Sequence, residues 1–205
     1  MARIPGVPAQ AASIGTKLAY VFTRRSLSRL TGRAPDGMLA PLEMYAHLPG
    51  LLRGYGGLEQ ATAKLDRLDR RLKALAWLKT STVTQCEYCI DLGSQVARRW
   101  GISDQELLAL PSYRSSGLFS ELESLVLDYA VGMTRTPCDV PASLFAELRR
   151  NFDDAQLVEL THVIAMENMR GRFNLALGIG AAGFSSGMVC AIPTAVGDPR
   201  RETDH

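Results

Sequence analysis

The stretch Thr62-Ala-Lys-Leu-Asp-Arg-Leu-Asp-Arg-Arg-Leu-Lys-Ala-Leu-Ala-Trp-Leu-Lys79 decides the fold class. Leu65, Leu68, Leu72, Leu75 and Leu78 recur at three- and four-residue steps. Asp66, Arg67, Asp69, Arg70, Arg71 and Lys73 fill the positions between them. That spacing puts one apolar stripe on a 3.6-residue helix and charge on the opposite side, so it predicts an amphipathic helix over 62–79. The Thr/Ser run from Thr80 to Gln85 is expected to break it.

Working outward, the same signals repeat. A helix is expected to begin at about Cys86, with Cys89, Leu92, Val96 and Trp100 along one face and Gly101 as its left-handed cap. Ser103-Asp-Gln-Glu106 and Ser120-Glu-Leu-Glu123 are capping boxes that open two further helices, the first stopped by Pro111. Thr134 to Asp139 reads as a loop, and Pro141 suits the first turn of the next helix. Asp153 or Asp154 caps the longest helix, which carries Leu157, Leu160, Thr161, Ile164, Asn168 and Phe173 and ends in the glycines from 178 to 187. There is no Asn-Gly or Asp-Gly hairpin turn and no sustained alternation of period two. The fold class is all-α. Residues 1–60 are expected to be an N-terminal arm and helical extension, with a basic amphipathic piece around 13–30. Residues 61–187 form the helical domain, and 188–205 a C-terminal tail.

Composition narrows the function. The chain has 205 residues, 46% hydrophobic and 21% charged, with a net charge of +2, which excludes disorder and argues against a dedicated nucleic-acid binder. Arg3, Lys17, Arg24, Arg25, Arg29 and Arg33 precede the first acid, Asp36. This basic start is expected to wrap on its own core or on a neighbouring subunit. Thr23-Arg24-Arg25-Ser26-Leu27 is followed by polar residues rather than an apolar run, so it is not read as an export signal. The charge-free stretch from Phe173 to Gly197 holds five glycines and is too poor in large apolar residues to span a membrane. A cytoplasmic protein with no membrane span is expected.

The chemistry centres on Gln85-Cys86-Glu87-Tyr88-Cys89-Ile90-Asp91-Leu92. Two thiols three residues apart at a helix start lie on one face within disulfide reach. The unpaired N–H groups and partial positive charge of a helix start favour thiolate over thiol, and the thiolate is the nucleophile. Such a pair suits thiol–disulfide exchange or peroxide reduction, in which one thiol becomes a sulfenic acid and the other resolves it. Zinc would need four ligands, and neither a second C-x-x-C nor a paired-histidine motif is present, so no metal and no cofactor are expected. Cys138 and Cys190 stand alone. Among the histidines, His162 follows Glu159 by three residues and reads either as a proton-handling group or as an ordinary structural residue; His47 is a weaker candidate. Glu87 and Asp91 flank the cysteines, and their influence on a thiol depends on which cations or donors offset them. Gly178-Ile-Gly180-Ala-Ala-Gly183 matches G-x-G-x-x-G, but it follows a helix rather than a strand and reads as helix termination.

In their order along the chain, these residues resemble the carboxymuconolactone decarboxylase superfamily, on its alkyl-hydroperoxidase D-like, peroxidase-related branch. The resemblance runs from Gly32-Arg-Ala-Pro35 and Tyr45-Ala-His-Leu-Pro49 through Cys86-Glu-Tyr-Cys89-Ile-Asp-Leu92 and Trp100-Gly-Ile-Ser103. It continues over Asp128-Tyr-Ala130 and Phe152-Asp-Asp-Ala-Gln-Leu-Val-Glu-Leu160 to Arg172-Phe-Asn-Leu-Ala-Leu-Gly178. It implies an antiparallel helical bundle of that type with an N-terminal extension, assembled as a dimer, trimer or hexamer. It implies an oxidoreductase acting on a hydroperoxide or other small molecule with an external thiol reductant, with Cys89 as attacking thiolate and Cys86 as resolving partner. The alternatives are a decarboxylase-type enzyme of the same superfamily and a non-catalytic small-molecule-binding homologue. The chain departs from the family pattern where a histidine and a glutamate usually relay protons: Gly93 and Ala74 stand there, and Tyr88 replaces a frequent histidine.

Overall fold

The computed structural model describes residues 2–193, whose regular elements are all helices, with no strand among them. The helices are α1 (Ile14–Thr31), α2 (Ala40–Tyr45), α3 (Pro49–Thr62), α4 (Arg70–Thr84) and α5 (Glu87–Arg99). They continue with α6 (Asp104–Ala109), α7 (Tyr113–Ser116), α8 (Glu121–Thr134), α9 (Ala142–Asn151) and α10 (Asp154–Leu177).

The amphipathic stripe is real, but the helix expected over 62–79 begins only at Arg70, residues 63–69 being a turn after α3 ends at Thr62. The Asp69 side chain accepts the N–H groups of Arg71 and Leu72, so the chain starts a new helix at Arg70. Leu68 still reaches the core from the preceding turn, at 3% exposure, which is why the leucine spacing runs unbroken across the junction. Nor does the Thr/Ser run break α4. The hydroxyls of Thr80, Ser81 and Thr84 donate to carbonyls one turn back and the helix carries them to Thr84. It stops at Gln85, which takes the left-handed region at φ 59°.

Four other boundaries fall where the sequence puts them. Both serine capping boxes form, Gly101 caps the turn after α5 at φ 87°, and Asp153 rather than Asp154 caps α10. Gly178 ends α10 in the left-handed region, so the G-x-G-x-x-G match is a helix stop. α3 was not foreseen: its four glycines disguise it, although Pro49 sits in its first turn.

α4 is the hub, packed on α5, α8 and α10. It forms an antiparallel hairpin with α5, where Leu78 faces Gly93. α10 runs parallel to it, since Lys73 meets Glu159, Ser81 meets Glu167 and Thr84 meets Gly171 in order. The N-terminal residues do not stand apart. Tyr20, Met38, Leu39, Tyr45 and Leu52 join Cys86, Cys89, Leu92 and Val96 in one apolar cluster. The 194–205 part of the expected tail lies outside the described residues. Among those described, no helix is long and apolar enough to cross a membrane.

Candidate active site

Cys86 is the N-cap of α5. Its Sγ accepts the backbone N–H of Cys89 at 3.3 Å, the bond that a capping serine oxygen would normally accept. Its own N–H is taken by the carbonyl of Ser81, which fixes the tight link from α4. The two cysteines are joined as a disulfide with their Cα atoms 5.2 Å apart. Both are buried, at 0% and 3% exposure. Cys138 and Cys190 are free.

From α10, the side-chain amide of Asn174 reaches both sulfurs, with Nδ2 3.6 Å from Cys86 Sγ and 3.5 Å from Cys89 Sγ. The sequence reading passed over Asn174 because an asparagine on a helix has no spacing signature. Its only signal was a polar residue on an otherwise apolar face.

The surround is aromatic and closed. Tyr45 is sandwiched between Tyr55 and Phe173, with ring centroids 4.3 and 4.2 Å away. Tyr88 donates its hydroxyl to the Met38 carbonyl at 2.6 Å, and burial pushes its phenol well above the usual range. The segment after α10 is held by Asp91, with Phe184 edge-on to Tyr88. The Asp91 carboxylate accepts the N–H groups of Ala182, Gly183, Phe184 and Ser185 at 2.6–3.0 Å. Asp91 is therefore spent on this segment, and Glu87 points to the exposed side near Gly180.

A polar cluster lies behind the aromatic wall. Arg170 grips Glu59 with two bonds of 2.8 and 2.6 Å and touches Glu167 at 3.3 Å. Burial works against the Glu59 charge, yet Arg170 outweighs it and holds that carboxyl below its ordinary value. Glu167 is fully buried with only Ser81 Oγ and the more distant Arg170 contact, and burial pushes it up to about 7.

Two sequence candidates lie elsewhere. His162 is twelve residues before Asn174 on the same helix, about 18 Å along its axis. Its Nε2 shares a 2.8 Å hydrogen bond with Thr62, at an apolar surface hollow with Phe145 and Val158. Glu159 does not orient it, being taken by the Arg67 N–H and by Lys73. His47 meets the Pro5 carbonyl. At Gly93 an added Cβ would lie 3.1 Å from Leu78 Cδ1, with Trp77 also near, so close helix packing occupies the place where a histidine would begin. Ala74 is buried in the core. Among the described residues no cluster of His, Cys, Asp and Glu could hold a metal ion.

Residues 49–131 match the carboxymuconolactone decarboxylase family. The uncharacterized protein YnjA of Escherichia coli (strain K12) is 35% identical over 161 residues, spanning 76% of this chain and 84% of that one. The chain belongs to the carboxymuconolactone decarboxylase family. Among solved structures, the fold is similar to debrominase Bmp8, seen as a cysteine-to-alanine variant in complex with 2,3,4-tribromopyrrole, at TM-score 0.72 and 22% identity over 89% of this chain and 95% of that one. It is also similar to the alkylhydroperoxidase AhpD core of a peroxidase-related protein from Ralstonia eutropha JMP134, at TM-score 0.68 and 18% identity over 88% and 92%. Family membership supports an enzyme at this coarse level.

Proposed function

We propose that this protein is a thiol-dependent oxidoreductase that reduces a small electrophile, a hydroperoxide, with the Cys86/Cys89 couple. The observation that carries the reading is the capped pair itself: two buried cysteines at a helix start, close enough to bond, with an amide donor on both sulfurs. The site supplies N–H donors rather than a nearby imidazole, so thiolate is favoured by hydrogen bonding and the helix start. One thiolate attacks a peroxide oxygen, the O–O bond breaks, and the alkoxide leaves and takes a proton from water. The resulting sulfenic acid is displaced by the second thiol, whose proton leaves with the hydroxide as water. The sum is one hydroperoxide and two thiols giving one alcohol, one water and one disulfide. An external thiol then resets the pair.

A second reading has its own support in the stacked aromatic wall of Tyr55, Tyr45 and Phe173 and in the fold shared with a debrominase. In it a thiolate takes bromine from an aryl ring, the ring carbon gains a proton, and the second thiol displaces bromide to form the same disulfide. The decarboxylase-type alternative makes no use of the pair.

The test is steady-state consumption of an organic hydroperoxide and of a brominated pyrrole, each with excess dithiothreitol. Hydroperoxide loss that disappears in Cys86→Ala and Cys89→Ala supports the first reading, and bromide release alone selects the second. Wild-type rates equal to the enzyme-free reaction for both substrates would refute the redox assignment.

A further inference from the structure

We propose that Cys86, rather than Cys89, carries the reactive thiolate in this chain, held by the backbone N–H of Cys89 and the side-chain amide of Asn174. The inference rests on the thiol–disulfide reading above and concerns which sulfur bears the charge.

The donors are unequal. Among the described residues Cys86 Sγ receives two, the Cys89 N–H at 3.3 Å and Asn174 Nδ2 at 3.6 Å, whereas Cys89 Sγ receives Asn174 alone, at 3.5 Å. Hydrogen bonds to the charged form lower a thiol's pKa, and the N-cap is where the orphan N–H groups of a helix converge. The Cys89 N–H contact lies within a single turn, with the Cys86 backbone in the extended N-cap conformation at φ −79° and ψ 100°. Cys89 has no compensating base one turn later, because position 93 carries no side chain and Leu78 and Trp77 fill the space beside it.

The charged groups on the elements around the pair are already engaged or turned away. On α5, Asp91 is bound to the 182–185 amides and Glu87 is exposed. On α10, Arg170 and Glu167 lie one and two turns before Asn174, paired with Glu59 and Ser81. From α2, Tyr45 presents a stacked ring, and on α4 the Ser81 and Thr84 hydroxyls are bonded within their own helix or to Glu167. What separates the two sulfurs is therefore the donor count. In the reaction, Cys86 S⁻ attacks the peroxide oxygen and Cys89 SH displaces hydroxide from the Cys86 sulfenic acid, which leaves as water with the Cys89 proton.

Iodoacetamide labelling against pH, mapped by peptide, tests this in Cys89→Ala, which keeps the residue-89 N–H, and in Cys86→Ala. The Cys86 midpoint should lie below the Cys89 midpoint by at least about one pH unit, a tenfold difference in proton affinity. Asn174→Ala in the Cys89→Ala background should raise the Cys86 midpoint and slow its labelling at neutral pH at least about threefold. Asn174→Asp, nearly isosteric, should raise it further by adding a negative charge. A Cys89 midpoint at or below that of Cys86 overturns the proposal, as does a Cys86 midpoint unmoved in both Asn174 variants with circular dichroism intact. If neither cysteine labels faster than exposed Cys138, the redox reading itself fails, which is a different result.

Discussion

Asp91→Asn should loosen the 182–185 segment without unfolding the protein. In the structure Oδ2 accepts from Ala182 (3.0 Å), Gly183 (2.7 Å) and Phe184 (2.9 Å), and Oδ1 from Ser185 (2.6 Å). Asp91 is 5% exposed, so no water substitutes readily. In the better amide orientation the remaining oxygen keeps three donors, and the new NH₂ group faces the Ser185 N–H. One bond to a charged acceptor is then lost, a buried donor is left unsatisfied, and the other three lose their charge assistance. Together these cost on the order of 2–4 kcal/mol in the closed state of this segment. At about 1.4 kcal/mol per tenfold, amide exchange at 182–185 should quicken by roughly 30- to 1,000-fold. Hydrogen exchange resolved by mass spectrometry reads this directly. Exchange within about threefold of wild type would refute the claim that Asp91 holds this segment.

Other outcomes follow from the same structure. Glu167 keeps its proton up to about pH 7 in the fold against about 4.5 unfolded, so the native state binds more protons between those values and stability falls as pH rises through that window; Glu167→Gln should flatten that fall, measured by guanidinium unfolding at both ends, and an unchanged slope would contradict it. Burial raises Glu106 and Glu123, but bonds from Arg71 and their capping serines hold both below their ordinary values, so their stabilising contribution is present above the unfolded carboxyl range and is lost as pH falls through the lower folded values; Arg71→Met should weaken that acid loss in the same titration. His162→Ala should leave thiol labelling within about twofold of wild type, given its place some 18 Å down the helix from Asn174. Gly93→His should cost roughly 1–3 kcal/mol by overpacking against Leu78 rather than restore a relay, and unfolding midpoints would show it. Ile14, Leu18 and Phe22 leave an apolar face open on α1, so light scattering should give a mass above one subunit.

The elements legible in the sequence were those announced by local chemistry. Capping boxes at Ser103 and Ser120, the left-handed glycines at 101 and 178, and the cysteine cap of α5 are all decided within one turn. The misreadings share a cause. The leucine stripe from 65 to 78 reports burial, and Leu68 is buried from a turn as well as it would be from a helix, so periodicity hid the start at Arg70. The Thr80–Thr84 run has low helix propensity, yet its hydroxyls bond back inside a helix that packing on α5, α8 and α10 already holds. Of the site, the cysteine pair was legible because its spacing is local. Asn174, Asp91 and the Arg170 cluster act across 80 residues or more of sequence, and such partnerships leave no periodic trace. His162 illustrates the converse, since a suggestive local pair with Glu159 was undone by Lys73 and Thr62 from other elements.

The central claim is that Cys86 and Cys89 form a working redox couple, and a single turnover tests it most directly. Fully reduced protein is mixed with one equivalent of hydroperoxide, quenched with an alkylating agent and mapped by peptide mass. The account predicts that thiols disappear only at Cys86 and Cys89, one disulfide forming for each peroxide consumed and alcohol released. Peroxide consumed with both thiols still free, or oxidation confined to Cys138 and Cys190, would contradict it.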